Sequence, residues 1–277
     1  MIRSRKYDPE LEELEISLFL EGVFRQYGFD FQNYAGGPVR RKIWEAIRQE
    51  KVKTISGLQE KLLHDSAAME RFLQSLAPEA TPYGPDFHLV FREHVVPILK
   101  TYPFVRLWHA GSASVKDIFW TAIILLEEDL YEKTTIYVTD INDITVARAQ
   151  DGLFPVAQIK QFERDYIKSG GRANFADYYM GGGKKAVFDP RLKRNMVFSQ
   201  HNFATDSSFN EFNAILCRGI LSSFNETLQA RAHKVLYESL TIFGILGLGP
   251  KEGLEHSSFR HSFAVLDQEH NLHRKIR

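Results

Sequence analysis

The residues of this 277-residue chain that could hold a ligand gather at the ends of two apolar runs. Phe104-Val-Arg-Leu-Trp108 leads into the small-residue turn His109-Ala-Gly-Ser-Ala-Ser114, and Thr135-Ile-Tyr-Val-Thr139 leads into Asp140. A glycine in such a turn lets a ligand approach the backbone at the start of the next helix. A carboxylate closing the next strand can accept hydrogen bonds from both hydroxyls of a ribose. The pairing points to a nucleoside-bearing ligand. Other chemistries find less support. Cys217 is the only cysteine and ends the apolar run Phe212-Asn-Ala-Ile-Leu-Cys217, the setting of a small buried hydrophobe rather than a nucleophile. Among the ten histidines, His256 with His261 and His270 with His273 lack the i, i+4 spacing of a helical zinc pair and have no cysteine partners, so no metal site is expected. No Gly-x-Ser-x-Gly elbow supports a serine hydrolase. Gly181-Gly-Gly183 lacks the spacing of a phosphate loop and reads as a hairpin turn.

The elements that must position these residues follow from periodicity. A strand over 104–108, a helix to about Glu128 and a strand over 135–139 make a βαβ unit. Before it, residues 1–76 read as helical. Asp8-Pro9 starts a helix with Leu11, Leu14, Ile16, Leu18, Phe19 and Val23 as its apolar face, and Gly28 breaks it. A second helix follows Gly36-Gly37-Pro38 with Val39, Ile43 and Ile47 inward. Its outer face, Arg40, Arg41, Lys42, Trp44 and Arg48, is a candidate docking surface for an acidic partner, with an ordinary solvated face as the equal alternative. Further helices are expected around 56–63 and 67–76, the latter capped by Asp65 or Ser66. Residues 77–86, with three prolines and a glycine, form the linker between domains. A helix with Phe87, Val90, Phe91, Val95 and Ile98 inward opens the second domain, 87–277. Beyond Asp140 come helices over 144–150 and 156–168, separated by the terminating Gly152-Leu-Phe-Pro155. A small antiparallel β insert is expected at about 170–194. Strands at 195–201, 213–217 and 242–248, a helix over 227–240, and a closing antiparallel pair at 262–266 and 272–276 complete an α/β doubly wound pattern.

Composition bounds the partners. Lysine plus arginine equals aspartate plus glutamate at 35 each, so no global field draws the chain to nucleic acid or an anionic membrane. The N-terminus carries no signal-peptide core, and no apolar run reaches the roughly 18 residues that span a bilayer. A cytoplasmic location without membrane insertion is expected, and the lone cysteine fits a reducing compartment.

Several stretches together resemble the chemotaxis receptor methyltransferases, the CheR family. They are Tyr34-Ala35 and Arg40-Arg-Lys-Ile43, Phe87 to Pro97, Arg106-Leu-Trp-His-Ala-Gly111, Tyr137-Val-Thr-Asp-Ile-Asn142, Phe198-Ser-Gln-His-Asn202, Phe212 to Arg218, and Leu246-Gly-Leu-Gly249. The resemblance implies an all-helical N-terminal domain followed by a class I methyltransferase-like (Rossmann-like) domain. It further implies S-adenosylmethionine or S-adenosylhomocysteine as cofactor, with Ala110 and Gly111 at the turn, Asp140 and Ile141 at the ribose, Asn202 and Phe203 at the adenine, and Arg218 beside them. The implied activity is methyl transfer to glutamate side chains of chemoreceptors, with the basic second helix contacting the receptor.

Departures from the family pattern fall where the resemblance places chemistry. The linker positions for an Asn, a Thr and an Arg are Ala77, Glu79 and Tyr83, with Thr81 nearby. The Gly-Glu-Glu after the first strand is Val115-Lys116-Asp117, so Lys116 is expected to set a cation against the cofactor's ammonium group, with Asp117 turned roughly 100° away. Gly219 stands for an Asn and Ser223 for a Tyr. Three readings follow: a member with degraded methyl transfer and a binding or scaffold role, with no catalytic residue assigned; an active receptor methyltransferase with an altered site; and a binder of another adenine nucleotide whose phosphates meet Lys116.

Overall fold

The computed structural model describes residues 8–76, 82–111 and 114–277. The chain divides into two compact units, Met1–Pro78 with Ser223–Gln229, and Glu79–Ser222 with Ala230–Arg277. In the first, Asp8 caps helix α1 (Pro9–Tyr27) by accepting the Glu10 N–H, and Gly28 ends it at φ +77°. The buried stripe is Glu12, Phe19, Leu20 and Val23, and Phe19 meets Phe72 edge to face at 5.2 Å. Three residues of the expected apolar face, Leu11, Leu14 and Leu18, stand exposed instead. One turn of helix offers apolar residues on both sides, and the neighbouring helices cover only the side of Phe19 and Val23. Helices α2 (Gly36–Gln49), α3 (Ile55–His64) and α4 (Ser66–Leu76) complete the bundle, with Asp65 Oδ1 accepting from Ala68 N–H as the expected cap. The late segment 223–229 belongs to this unit: Ala35 N–H donates to the Ser223 carbonyl (2.8 Å), Asn225 N–H to the Asn33 carbonyl (2.9 Å), and Tyr34 packs on Phe224.

The second unit opens with α5 (Pro85–Val90) and α6 (Val96–Lys100), separated by a π turn over Phe91–Val95. Pro97 has no N–H to give the Glu93 carbonyl, and the turn widens so that Val96 N–H reaches Phe91. The turn aims buried Arg92 at Glu127 (2.7 Å), Glu128 (3.0 Å) and the Ser169 carbonyl (3.2 Å). The following elements are β1 (Val105–Ala110), α7 (Val115–Glu127), β2 (Thr134–Asp140), α8 (Asp143–Asp151), β3 (Leu153–Pro155), α9 (Ile159–Lys168), β4 (Tyr179–Gly182), β5 (Lys185–Phe188) and β6 (Met196–Gln200). The unit closes with β7 (Phe212–Cys217), α10 (Glu226–Glu238), which begins in the first unit's segment, β8 (Leu240–Leu248), β9 (Phe263–Asp267) and β10 (Leu272–Lys275). The seven-stranded sheet runs β6-β2-β1-β7-β8-β10-β9. Its strands are parallel from β6 through β8, and β10 is antiparallel to both neighbours. This is the doubly wound, class I methyltransferase-like order, with the chain reversing direction of travel across the sheet between β1 and β7. Such a switch point leaves a crevice beyond the strands' carboxyl ends.

Two further expectations are corrected. Phe104 lies before β1 and is 77% exposed. Leu153–Pro155, read as a helix terminator, is the third strand of the insert, pairing antiparallel with β5 to give a sheet ordered β3-β5-β4. Three residues are too few to show a period of two. Helix α7 is buried nearly all round from Lys116 to Leu125, with Phe119 stacked on Phe188 of the insert at 4.4 Å. Among the described residues no helix is long and apolar enough to cross a membrane.

Candidate functional site

The topology brings the sequence-predicted site residues to one rim. Ala110 ends β1 and Gly111 follows it, Asp140 ends β2 and Ile141 follows it, Asn202 and Phe203 follow β6, and Arg218 follows β7. These four strands are consecutive neighbours. Gly111 takes φ +71°, which suits glycine, and its N–H donates to the Thr139 carbonyl (2.9 Å). A Cβ there would press on Ile220 Cδ1 at 2.5 Å, so the turn after β1 lies directly against the loop after β7. Asp140 is buried and its Oδ1 accepts from Asn142 N–H (2.8 Å), while its carbonyl accepts from His201 N–H (3.0 Å). Asn202 Oδ1 turns back to Ala204 N–H (2.9 Å), and the Phe203 ring packs inward on Trp108 at 5.8 Å. A buried carboxylate beside a glycine turn is an arrangement that can accept hydrogen bonds from the hydroxyls of a ribose.

At the start of α7 the structure overturns the expectation for Lys116. Its ammonium is buried and pairs with Asp165 Oδ2 on α9 at 2.6 Å, over the rings of Trp120 and Phe162. It therefore sets no cation against a ligand at this rim, and a phosphate has no ammonium to meet there. Asp117 takes the inward place. Both its oxygens accept from Tyr83 N–H (3.0 and 3.1 Å), and Ser114 Oγ accepts from Asp117 N–H (3.1 Å) as the helix cap. Burial pushes the Asp117 carboxyl up to about 7, against the opposing pull of Ser114, Tyr83 N–H, Lys116 and Arg218. His88 Nε2 lies 3.6 Å from Asp117 Oδ1, but burial and then Lys116 hold the imidazole well below its usual range, so the contact is not an ion pair. Burial alone brings His109 down to about 3.

Tyr83, at the position where the family pattern has an arginine, is covered on one face by Phe87 (3.7 Å, stacked) and carries the Arg218 guanidinium 4.3 Å from its ring centre. Arg218 makes no hydrogen bond or ion pair with another described residue, and it borders a cavity of about 170 Å³ with Tyr83, Phe87, Leu248, Pro250 and His270. A guanidinium stacked on an aromatic ring keeps its in-plane donors for a ligand. The other linker positions, Ala77, Glu79 and Thr81, lie outside the described residues.

Family models match nearly the whole chain: the CheR methyltransferase SAM binding domain over residues 86–271 and the CheR methyltransferase all-alpha domain over 14–77. The chain belongs to the CheR methyltransferase family. A Pseudomonas putida protein called Cher3 is 38% identical over 265 residues, spanning 95% of this chain and 97% of its own. A chemotaxis protein methyltransferase of Listeria innocua is 22% identical, spanning 88% of this chain and 91% of its own. A solved N-methyltransferase, NodS of Bradyrhizobium japonicum in complex with S-adenosyl-L-homocysteine, has TM-score 0.32 and 12% identity over 58% of this chain and 61% of that one.

As a CheR-family chain, this one carries a second set of candidate residues on α2, and the structure divides them. Arg40 and Trp44 turn to Glu12 of α1: Arg40 Nε donates to Oε1 at 2.7 Å and Trp44 Nε1 to the same oxygen at 2.6 Å, while Arg40 Nη2 reaches Oε2. Lys42 pairs with Glu45 at 3.1 Å and Arg41 approaches it at 3.9 Å. Arg48 stands exposed. The face is less basic than its sequence. Sequence reading also missed Glu12, which no i, i+4 rule connects to α2, and Tyr83 and Asp117 as neighbours, which are 34 positions apart.

Proposed function

We propose that this CheR-family protein binds S-adenosylmethionine at the rim formed by β1, β2, β6 and β7 and transfers its methyl group to carboxylate side chains of a signalling receptor. The observation that carries this reading is the pair of orientations at the start of α7. Lys116 is withdrawn into an ion pair with Asp165, and the acid Asp117 stands beside Tyr83 and Arg218. The bound cofactor supplies an activated methyl on sulfonium; the chain's residues supply position. Asp140 would hold the ribose, Gly111 would admit the ligand to the backbone, Arg218 would take a carboxylate, and the buried rings around Tyr83 and Phe87 would exclude water. Holding methyl and acceptor in line is the larger part of such a reaction. The chemistry of the site is that of the family, in the cytoplasm, with a receptor of the chemotaxis kind as acceptor.

A binding or scaffold role is the second reading, favoured by Gly219 and Ser223, which supply neither the amide nor the aromatic hydroxyl that the resemblance places there. Gly219 nevertheless takes φ +78°, a conformation that asparagine also visits. Calorimetric titration with S-adenosylmethionine and S-adenosylhomocysteine, followed by radiolabel transfer to receptor fragments, separates the readings. Micromolar binding of both and label lost in Asp140→Ala is the expected result. Binding without label supports the scaffold, and no binding of either overturns the proposal.

A further inference from the structure

Two loops at the candidate rim are held in shape by charged side chains that do not line it. The loop after β7 is gripped by Glu252, which is 6% exposed. Its Oε2 accepts from Gly219 N–H (2.9 Å) and Gly249 N–H (2.8 Å), and its Oε1 from Ser222 N–H (3.2 Å). Among the described residues it has no cationic partner, so a buried carboxylate is satisfied by backbone donors alone. Gly249 is part of the fit, since a Cβ there would collide with Oε2. The loop after β6 is gripped in the opposite sense by Arg231 of α10. Its Nε donates to the Phe203 carbonyl (3.0 Å), and its Nη2 to those of Thr205 (2.9 Å) and Asp206 (3.1 Å). Asp206 in turn accepts from Asn202 N–H (2.9 Å). One side chain thus collects three N–H groups and the other three carbonyls, at the two loops that follow the outer strands of the rim.

We propose that Glu252 and Arg231 are positioning residues: they hold these loops in the ligand-binding shape before the ligand arrives, Glu252 at the amino-acid end and Arg231 at the adenine end. The inference rests on the cofactor reading above. A loop already ordered loses little freedom on binding, so each grip appears as affinity. Glu252 must accept three donors, and an amide of the same shape turns one acceptor oxygen into a donor facing N–H groups. Arg231 is itself exposed, so its replacement spares the core.

The test compares Glu252→Gln and Arg231→Gln with the parent chain, titrating S-adenosylhomocysteine and adenosine and recording Tm. Glu252→Gln is expected to weaken S-adenosylhomocysteine at least tenfold and adenosine less than threefold. Arg231→Gln is expected to weaken both about tenfold with little change in Tm, and Arg231→Lys to recover part of that loss. A lowered Tm with both affinities intact in the folded variants overturns the proposal and leaves the two residues structural only. If Glu252→Gln fails to fold, Arg231→Gln decides: unchanged adenosine affinity overturns the proposal. Failure of the parent chain to bind either ligand is a different result, overturning the cofactor reading and this inference with it.

Discussion

Asp117 concentrates the electrostatics of the site in one side chain. Its carboxyl is raised from the ordinary 3.8 to about 7 because it is buried beside Tyr83, and the stabilising N–H bonds and nearby cations only partly offset this. The direction fixes a pH dependence. Below about 4 the carboxyl is protonated in both folded and unfolded chains. Between about 4 and 7 the unfolded chain ionises while the folded one keeps its proton, so stability falls by up to about 1.4 kcal/mol per pH unit from this group. Above about 7 both are ionised and the loss is constant. Asp117→Asn removes the titration and keeps an acceptor for Tyr83 N–H. The Tm of the variant minus that of the parent is expected to rise from pH 4 to pH 7 and then level off. A difference independent of pH would show that Asp117 is already charged in the folded protein over this range.

Helices α7 and α9 are joined by Lys116 and Asp165, a pair closed to solvent by Trp120 and Phe162, with Gln161 Nε2 giving Asp165 a further bond at 2.7 Å. Removing one member strands the other charge in an apolar setting, a loss of about 3–5 kcal/mol, while removing both for apolar residues of similar volume is close to neutral. Lys116→Met is therefore expected to cost about 3 kcal/mol in denaturant melts, Lys116→Met with Asp165→Leu to restore most of it, and the double variant to bind S-adenosylhomocysteine within twofold of the parent. An affinity gain in the double variant would return Lys116 to the ligand site. This pair also marks where sequence reading ends. The rim was legible, because Gly111, Asp140 and Arg218 sit at strand ends that apolar runs and turns announce. Which way Lys116 points was not, because its partner lies 49 residues later on another helix and helical period alone does not choose between Lys116 and Asp117. Glu252 and Arg231 were invisible for a related reason: their partners are backbone groups, which every sequence supplies. The β insert was legible as a Gly-turn hairpin, yet its third strand was hidden in the three residues Leu153–Pro155.

Chain order and unit order do not coincide in this molecule, and that has a consequence for how the helical unit is stabilised. Residues 223–229 return to the unit formed by the first 78 residues, although the intervening chain builds most of the α/β unit. The return is anchored by Phe224, 3% exposed, whose ring meets Tyr34 at 5.0 Å and 69°, next to the backbone bonds of Asn33 and Ala35. Tyr34 in turn packs edge to face on Phe31, which is 1% exposed. A large ring buried at the end of such a chain of contacts is worth roughly 3 kcal/mol against alanine, and the strand-like bridge between Tyr34 and Phe224 depends on it. Loss of that anchor opens the unit locally before the whole protein unfolds, because the bundle of α1, α3 and α4 has its own core around Phe19, Leu58 and Phe72. Phe224→Ala is expected to speed amide exchange of residues 33–39 roughly 100-fold, and to leave the exchange of β1, β2 and β7 unchanged. Equal acceleration in both units would mean that they unfold as one, and that segment 223–229 is a contact of the whole molecule rather than a part of the helical unit.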